Sequence, residues 1–385
     1  MPAAVAMLYY CALAVVSLIP AKNRQAAYAS PTNRFTIIIP AHDEQTSIGT
    51  AVQSCLELEY PTDKFDIYVI ADNCSDKTAE IASSFGVRCL VRMDETCVGK
   101  GYALSYGFER LRETMCDAFV VMDADCVLDS NALKEIDLRM QVGDCALQLA
   151  DSVSNPDANP ISYMLSVGNI IENRLFYSAK SRLRLPVMLR GTGMVLHKSL
   201  LQRIPWNARS VVEDLEYSLE LFREGIYVRF LETAEVRSAF PTDRRQLSVQ
   251  RERWAKGNLS FARIQGFKLL WAGIRKRSIG LLDAGCMLLF MSRPIFLIVL
   301  CCAIATSAIA RWIVRCWITD LLLLASTILC FLCVLYFGSG IILLGVTKRR
   351  LGLLCRVPVV LMRLIWISVS GLFHTSSLQW NRTPR

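Results

Sequence analysis

The sequence predicts an α/β fold built on a doubly wound mixed sheet, with apolar helices before and after it. Two observations lead to this prediction. Between residues 33 and 125, short runs of β-branched residues alternate with segments of helical periodicity, an order typical of one largely parallel sheet with helices on both faces. Outside residues 30–260, the chain carries long apolar runs of the kind that membranes accommodate.

Four segments are predicted to be strands, and the continuous apolar run of the first indicates a strand that is buried on both faces. They are Phe35–Pro40, Phe65–Ala71, Val87–Val91 and Ala118–Met122. Helices are predicted at 46–58 with Thr46 or Ser47 as the cap, at Asp76–Phe85, at 100–113 after Gly99, and at about 215–224. Ligands of such sheets bind outside the carboxyl ends of the strands, so the residues after each strand are candidates for a functional site.

Hydropathy divides the chain into five segments. They are an N-terminal transmembrane anchor at 1–21, a cytosolic domain at 30–257, interfacial helices at 258–293, two transmembrane helices at 294–346, and a C-terminal interfacial helix and tail at 347–385. Residues 3–20 form an apolar run close to the ~17–25 residues that a span requires. Because Lys22 and Arg24 follow directly, the positive-inside rule places the next domain in the cytoplasm.

The segments after residue 260 are predicted in more detail. Phe261–Arg277 mixes basic and apolar residues and is predicted to lie in the membrane interface. Its predicted apolar face comprises Leu269, Leu270, Trp271 and Ile274. Residues 279–292 carry Asp283, which would be costly at bilayer depth, so an interfacial or re-entrant piece is predicted there.

The firmer spans are predicted at 294–314 and 318–346, with a turn near residues 315–317. Lys348-Arg349-Arg350 then marks a return to the cytoplasm. At 353–373, recurring arginines favour an interfacial helix, with a further span as the alternative.

Composition argues against several functional classes. The net charge of +9 arises from basic residues beside the apolar runs, which is typical of membrane orientation rather than of nucleic-acid binding. The 15 cysteines show no spacing typical of a zinc site. Several of them lie within apolar runs, so a reducing cytosolic setting is favoured over a disulfide framework.

Acidic residues follow three of the four predicted strands. They are Asp43 and Glu44 after the first, Asp72 and Asp76 after the second, and Asp123 and Asp125 after the fourth. Carboxylates this close repel one another unless a cation or hydrogen-bond donors lie among them. Mg²⁺ and Mn²⁺ are bound by one or two carboxylates together with phosphate oxygens, so a divalent ion holding a diphosphate is predicted. The alternative is that an Asp after a strand only caps a helix, which suits Asp76 well.

Three later segments add polar groups. Arg190-Gly191-Thr192-Gly193 is predicted to be a loop that allows close backbone approach. Asp214, in Val211-Val212-Glu213-Asp214, either caps the helix that follows or acts as a general base. In Gln250-Arg251-Glu252-Arg253-Trp254, arginine suits a phosphate and tryptophan suits a sugar face, although a basic helix beside the membrane would read the same way.

Taken together, these residues resemble the membrane-integrated family 2 glycosyltransferases, the group of cellulose, chitin, hyaluronan and poly-N-acetylglucosamine synthases. The resemblance covers roughly residues 33–260 and rests on an ordered set: an acid after strand one, D-x-x-x-D, D-x-D, E-D and Q-x-x-R-W. It implies a GT-A fold and inversion at the anomeric carbon. The chain departs from the familiar T-E-D triplet, since Val212 stands in place of Thr, and it offers fewer spans than large polymer synthases.

The resemblance also implies roles for individual residues. The donor would be bound by Pro40, Ala41, Glu44, Asp72, Asp76, Lys100 and Asp123. Asp123 and Asp125 would hold Mg²⁺ or Mn²⁺, and Asp214 would be the catalytic base. The acceptor and the diphosphate would be bordered by Glu213, Gln250, Arg253 and Trp254.

The resulting expectation is a metal-dependent, membrane-bound hexosyltransferase of the inner or plasma membrane with a cytosolic catalytic domain. It would move a sugar from a nucleotide sugar, with UDP as the expected nucleotide, to a polysaccharide or lipid-linked saccharide and form a β-glycosidic bond. The alternative is a single transfer to a membrane lipid that resembles ceramide or a polyprenyl phosphate. Membrane lipids are expected partners and nucleic acid is not, while a homo-oligomer or an export partner stays open.

Two non-enzymatic functions are disfavoured by the sequence. An inactive sugar-sensing or nucleotide-sensing subunit would have little reason to retain Asp123, Asp125, Asp214 and Arg253 together. A channel or transporter built on the apolar half would need a polar inner stripe, which the apolar helices lack.

Overall fold

The computed structural model of the protein describes residues 2–19, 30–207, 210, 212–239, 261–262, 264–290, 293–358 and 362. Eight strands form one mixed sheet within these ranges. They are β1 Phe35–Ala41, β2 Phe65–Asp72, β3 Arg88–Arg92, β4 Ala118–Val121, β5 Cys126–Leu128, β6 Ala146–Val153, β7 Met194–His197 and β8 Arg229–Ser238. Their order in the sheet is β3-β2-β1-β4-β7-β6-β8-β5. The four predicted strands are confirmed as β1 to β4, which pair in parallel.

The second half of the sheet is mixed. β7 is antiparallel to both β4 and β6, β8 runs parallel to β6, and β5 is antiparallel to β8. The expectation of a largely parallel sheet therefore holds only for the first half, whereas the overall prediction of a mixed sheet is confirmed.

The helices before residue 240 surround the sheet. They are α1 Pro2–Ser17, α2 Ile48–Leu56, α3 Thr78–Ser84, α4 Lys100–Arg110, α5 Ala132–Gln141, α6 Pro160–Ile171, α7 Ser178–Arg182, α8 Lys198–Arg203 and α9 Glu213–Arg223, with a π-helical segment at Glu172–Tyr177. The four predicted helices are confirmed as α2, α3, α4 and α9. Ser47 is the first flanking residue of α2, but its hydroxyl donates to the Glu44 carboxylate at 2.7 Å rather than capping a helix amide.

Alternate residues of the central strands face opposite sides of the sheet, as the two-residue strand period requires. Ile37 and Ile39 of β1 belong to an apolar cluster with α2, α3 and α5. Ile38 belongs to a second cluster with α4 and α9. Both faces of the sheet are therefore covered, which explains why the parallel strands read as continuous apolar runs.

Helices of the later, apolar region complete the described chain. Residues 264–276 form α10, followed by α11 Ile279–Phe290, α12 Arg293–Ile313, α13 Trp317–Leu344 and α14 Lys348–Leu354. Among the described residues, α13 alone is long and apolar enough to cross a membrane, with a mean hydropathy of 2.5 over its 18-residue window. Shorter apolar helices lie at Ala4–Ser17, Ile279–Phe290 and Val299–Ile313. The positions of both predicted spans are therefore helical, but only the second meets these criteria of length and composition.

α1 packs against the rest of the protein along one side. Ala6, Met7 and Leu13 are at most 4% exposed and belong to the same apolar cluster as Ile38 of the sheet. Val5, Leu8 and Val15 on the opposite side are exposed. The helix predicted as a simple anchor is thus also part of the core that underlies the sheet.

The exposed face of α10 differs from the apolar face that was predicted for this interfacial helix. Trp271 and Ile274 are exposed, whereas Leu269 is only 8% exposed and therefore lies on a different face. The exposed stripe comprises Ile264, Phe267, Trp271 and Ile274, which recur at the helical period. The other face packs on α11 through two glycines, since a Cβ atom at Gly266 or Gly273 would come within 2.8 Å of an α11 leucine.

Asp283 of α11 lies in the protein interior, where it is paired. Its carboxylate accepts hydrogen bonds from Lys180 Nζ at 2.5 Å and from the Tyr9 hydroxyl at 2.8 Å. Lys180 is fully buried and Asp283 is 6% exposed. The free-energy cost of burying this charge led to the prediction of a re-entrant segment. In the structure, the ammonium group of Lys180 from α7 and the hydroxyl of Tyr9 from α1 offset this cost.

We expect Lys180→Met to lower the free energy of unfolding by about 3–5 kcal/mol, because it leaves the Asp283 carboxylate buried without its cation. Thermal melting of the purified protein measures this change. Arg174→Met is the matched control, since Arg174 pairs with Glu232 at 3.3 Å but is 62% exposed, and it should cost at most about 1 kcal/mol. Equal melting temperatures for both variants would contradict the prediction.

Candidate active site

Strands β1, β2 and β4 are parallel and end at the same edge of the sheet. Ala41 of β1 is in register with Ala71 of β2, and Val121 of β4 is in register with Ile38 of β1. β2, β1 and β4 are neighbours, so the acidic segments that follow them lie along the same edge, as predicted. Pro40 and Ala41, predicted to border the donor, form the end of β1.

Two of the carboxylates tie these loops together. Asp43 accepts a hydrogen bond from the Ser75 backbone N–H at 2.6 Å. Asp76 accepts from the backbone N–H groups of Gln45 at 3.1 Å and Thr78 at 2.9 Å. Asp76 therefore does support the start of α3, which agrees with the capping interpretation, although Lys77 is the flanking residue of that helix. Glu44 joins the same network, because its N–H donates to the Thr78 hydroxyl at 2.7 Å.

Asp72 is held by a cation from the neighbouring strand. Arg92 donates to its carboxylate at 2.5 Å and to that of Asp94 at 2.8 Å, and the side chains of Arg92 and Asp72 are 7% and 4% exposed. Burial raises the pKa of Asp72, although Arg92 opposes this shift. The expected repulsion among the strand-end carboxylates is thus partly relieved by Arg92 and by backbone donors. Ligand atoms of Asp43, Cys74 and Asp76 also lie within 4.8 Å of one another, close enough to hold a metal ion.

Lys100 connects α4 with the residues after β4. Its Nζ donates to the Asp123 carboxylate and to the Gly191 carbonyl oxygen, the latter at 2.9 Å. Burial by itself would lower the pKa of Lys100, but the negative charges of Asp123 and Glu213 raise it above its ordinary value. Lys100 therefore stays cationic and places a positive charge beside Asp123.

The residues after β4 include a set of potential metal ligands. Ligand atoms of Asp123, Asp125 and Cys126 lie within 4.8 Å of one another. Asp123 is 37% exposed, so solvent and small molecules can reach it. Two carboxylates with an open side suit a hard divalent ion whose remaining ligands are water or phosphate oxygens. The side chains present therefore fit Mg²⁺ or Mn²⁺.

Asp214 lies in the first turn of α9, one residue after Glu213. Val212 is the residue that flanks this helix, and Asp214 accepts a hydrogen bond from the Leu215 N–H at 2.8 Å. Burial, with a contribution from Glu213, raises the pKa of Asp214 to about 7, while the Leu215 N–H and Lys100 oppose the shift. A carboxylate with a pKa near neutrality can accept a proton and release it again at physiological pH.

The loop Arg190–Gly193 joins these groups. A Cβ atom at Gly191, where φ is +80°, would lie 3.3 Å from Lys100 Nζ and 3.6 Å from Asp214 Oδ2. The Thr192 hydroxyl accepts a hydrogen bond from the Asp123 N–H at 3.1 Å. The loop thus contacts Asp123, Lys100 and Asp214, which are predicted site residues from three different parts of the chain.

Gln148 of β6 holds this loop and was not identified from the sequence. It is fully buried, its Oε1 accepts from the Arg190 N–H at 2.8 Å, and its Nε2 donates to the Thr192 carbonyl at 2.8 Å. One side-chain amide therefore satisfies two backbone groups on either side of Gly191. A glutamine within the otherwise apolar run Ala146–Ala150 is the signal that could have indicated it.

We expect Gln148→Met to destabilise the protein by about 2–4 kcal/mol, because it leaves the Arg190 N–H and the Thr192 carbonyl buried without partners. It should also lower kcat, since the loop no longer fixes Lys100 relative to Asp214. Melting curves and steady-state kinetics measure the two effects. Gln202→Met, at an exposed glutamine of α8, is the control; a Gln148→Met protein that melts like this control would contradict the prediction.

Three predicted site residues, Gln250, Arg253 and Trp254, lie outside the described residues. The remaining predicted residues fall into two groups. Pro40, Ala41, Glu44, Asp72 and Asp76 form the β1–β2 end of the edge, and Lys100, Asp123, Asp125, Glu213 and Asp214 form the β4 end.

Comparison with known families shows to which family the chain belongs. The model of the family described as "Glycosyltransferase like family 2" matches residues 31–257. The chain belongs to glycosyltransferase-like family 2. The match begins just before β1 and extends past β8, so this glycosyltransferase-family region contains the entire described sheet and every predicted site residue.

Several curated proteins are similar to this family 2 chain. "Probable glycosyltransferase YdaM" of Bacillus subtilis is 24% identical over 58% of this chain and 55% of its own length. A "Beta-monoglucosyldiacylglycerol synthase" of Trichormus variabilis is 27% identical over 66% and 54%. "Cellulose synthase 1 catalytic subunit" of Komagataeibacter xylinus is 26% identical over 62% and 32%. The chain thus spans about half the length, or less, of these curated relatives.

A solved structure shows the same fold. It is the mannosyltransferase PcManGT from Pyrobaculum calidifontis, determined in complex with GDP-Man and Mn²⁺. The TM-score is 0.60 at 17% sequence identity, and the alignment covers 98% of this chain and 100% of that one. Together with the family match, this similarity confirms the predicted GT-A-type α/β fold with a mixed sheet.

Proposed function

We propose that this protein transfers a sugar from a nucleotide sugar to an acceptor hydroxyl at a membrane, with inversion at the anomeric carbon. The observation that carries the proposal is the arrangement around Gly191. There, the Lys100–Asp123 ion pair lies beside Asp214, a carboxylate whose pKa is raised to about 7. A cation beside one carboxylate and a titratable carboxylate next to it provide the two functions that glycosyl transfer requires, stabilisation of a leaving anion and removal of a proton.

In the proposed reaction, Asp214 accepts the proton of the acceptor hydroxyl as its oxygen bonds to the anomeric carbon. The bond from that carbon to the nucleoside diphosphate breaks in the same displacement, and the electron pair leaves with the diphosphate. Lys100 supplies positive charge on the side of the leaving group. Mg²⁺ or Mn²⁺ bound by Asp123 and Asp125 would neutralise further negative charge on the diphosphate.

The ends of β1 and β2 are proposed to bind the nucleoside. Pro40, Ala41, Glu44, Asp72 and Asp76 lie at this end of the sheet edge, where hydrogen bonds connect the segments that follow β1 and β2 and hold Asp72 to β3. Groups that are already held in place lose less conformational entropy when a ligand binds. Gln250, Arg253 and Trp254 are proposed to border the diphosphate and acceptor, together with Glu213.

We propose that the enzyme is an integral protein of the inner or plasma membrane with its catalytic domain, 30–257, in the cytosol. α13 has the length and composition of a span. The exposed stripe of α10 is flanked by Lys268, Arg275 and Lys276, a combination suited to an interface with anionic headgroups. The predicted segments at 1–21, 258–293, 294–346 and 347–385 remain part of this proposal.

Two acceptor classes follow from the relatives. The similarity to a cellulose synthase catalytic subunit supports a polysaccharide or lipid-linked saccharide, and the similarity to β-monoglucosyldiacylglycerol synthases supports a single transfer to a membrane lipid. A UDP-sugar is the proposed donor, although PcManGT was determined with GDP-Man, so both nucleotides belong in the test.

The test is a panel of UDP- and GDP-sugars incubated with the purified protein and Mg²⁺ or Mn²⁺, scored by release of nucleoside diphosphate. One or a few donors should give metal-dependent release. With labelled donor, a ladder of products indicates polymerisation, and one lipid-soluble product indicates a single transfer. Binding of donors without any release would favour an inactive sensing subunit and would overturn the proposal.

A further inference from the structure

A second polar cluster, next to Asp214, has no role in the donor chemistry proposed above. Arg190 pairs with Asp151 of β6, with Nη2 3.1 Å from Oδ2, and approaches Glu172 at 3.7 Å. Its Nη1 donates to Asn173 Oδ1 at 3.2 Å. The charged side chains of this cluster are 19–25% exposed, so they lie deep in the protein but remain accessible.

The cluster continues the site beyond the proposed base. Along the Arg190–Gly193 loop, Thr192 contacts Asp123, Gly191 lies beside Lys100 and Asp214, and Arg190 reaches the cluster. Burial by itself would lower the pKa of Arg190, but the charges of Asp151 and Glu172, with a smaller contribution from Asp214, raise it. One loop therefore connects the donor side, the base and the polar cluster in that order.

One atom of the cluster indicates what it binds. Asn169 donates from Nδ2 to Asp151 Oδ2 at 3.1 Å, but its carbonyl oxygen is buried and no described residue donates to it. A buried acceptor of this kind is unfavourable unless a hydrogen-bond donor reaches it. A hydroxyl group can supply that donor, whereas an ionised phosphate has few or no hydrogens to donate.

The charge of the cluster leads to the same ligand class. Asp151 and Glu172 supply two negative charges against the single positive charge of Arg190. An anionic ligand would meet net repulsion there, while a hydroxyl group can donate to the carboxylates and accept from the guanidinium. The cluster is therefore complementary to a neutral group that carries several hydroxyls.

We propose that Asp151, Asn169, Glu172, Asn173 and Arg190 bind the acceptor through the hydroxyls of a neutral headgroup, either a sugar or glycerol. This inference rests on the proposed function and narrows it. It favours a saccharide or a hydroxyl-headed lipid as acceptor and excludes a polyprenyl phosphate. The same hydroxyl chemistry occurs on soluble oligosaccharides and on lipids, so both sources enter the test.

The first experiment uses the full-length protein in lipid nanodiscs with an active donor from the panel. The acceptors are a soluble β-linked oligosaccharide, an alkyl glucoside, a monoacylglycerol with two free hydroxyls, and a polyprenyl phosphate. Labelled product is expected with at least one of the first three, and which of them reacts separates the soluble from the lipid source. Glycosylated polyprenyl phosphate would overturn the inference. Release of nucleoside diphosphate without a glycosylated neutral acceptor would also overturn the inference, but it would leave the proposed function intact. Absence of release with every donor would instead refute the proposed function.

The second experiment uses Asp151→Asn and Asn169→Leu. Both should raise KM for the neutral acceptor by about tenfold or more, because each removes hydrogen-bonding capacity from the cluster. Affinity for the nucleoside diphosphate, measured by calorimetry, should be retained, which a merely destabilised protein would not show. Asp157→Asn is the matched control, since Asp157 pairs with Arg350 at 2.7 Å near the start of α6. If Asp151→Asn does not fold, the Asn169→Leu variant alone tests the inference. An Asn169→Leu variant whose KM for the acceptor equals that of the control would overturn the inference.

Discussion

Replacing Asp214 with Asn should lower kcat by about 10³-fold, within the ~10²–10⁴-fold range typical of a general base. Asn has nearly the same size and shape but cannot accept the proton of the acceptor hydroxyl. Because the change removes a function of the reacting complex rather than a binding contact, the affinity for the donor should remain. Steady-state kinetics combined with calorimetric titration of the nucleoside diphosphate separates the two quantities.

The pH dependence of kcat provides an independent check on Asp214. The base works only when it is deprotonated, and burial raises its pKa to about 7. The rate should therefore rise as the pH increases through about 7 and fall as the pH decreases below it. Glu216→Gln, which alters another acidic residue in the first turn of α9, should keep this profile. Near-normal turnover in Asp214→Asn, or the same pH profile in that variant, would show that Asp214 is not the base.

Replacing Asp125 with Asn should weaken Mn²⁺ binding by about 100-fold or more, since loss of a group that only supports a ligand already costs ~10–100-fold. The change removes one of the two carboxylates in the candidate ligand set with Asp123. Electron paramagnetic resonance of Mn²⁺ in titrations without donor measures this affinity directly. Weaker donor binding and slower turnover should follow in the same variant.

The control for Asp125 is Asp129→Asn. Asp129 follows β5, four residues further along the chain, and its carboxylate pairs with Arg237 rather than with the candidate ligand set. The control variant should bind Mn²⁺ as the unaltered protein does. An equal Mn²⁺ affinity in Asp125→Asn and in the control would place the metal elsewhere or show that none binds.

The first half of the sheet could be predicted because each element carried a local signal. β1, β2 and β4 are buried parallel strands, so both of their faces are apolar and the run is visible without any knowledge of the fold. β5 contains only 3 residues, too few for a periodic pattern to emerge. Its position depends on pairing with β8, which is distant in sequence.

The prediction for α10 placed Leu269 on the same face as Trp271 and Ile274, and this was wrong. As with β5, the arrangement depends on contacts with another part of the chain. Leu269 and Trp271 are both large and apolar, and the sequence alone does not distinguish which of them a neighbouring helix will cover. Gly266 and Gly273 let α11 approach closely, and this contact buries Leu269 while leaving Trp271 exposed. The face was therefore decided by a second helix.

The sequence by itself determined which chemical groups stand at the strand ends and in which order, because those groups follow directly from buried apolar runs. Only the tertiary structure decided which of these groups form ion pairs or hydrogen bonds, and with which partners. Asp72 is held by Arg92, and Asp43 by the Ser75 amide, both more than 15 residues away in the chain. Asp123, Lys100 and Asp214 meet at a loop that Gln148 holds. Hydrogen bonds and ion pairs act over a few ångströms in space whatever the separation in sequence, so their partners are known only once the chain is folded.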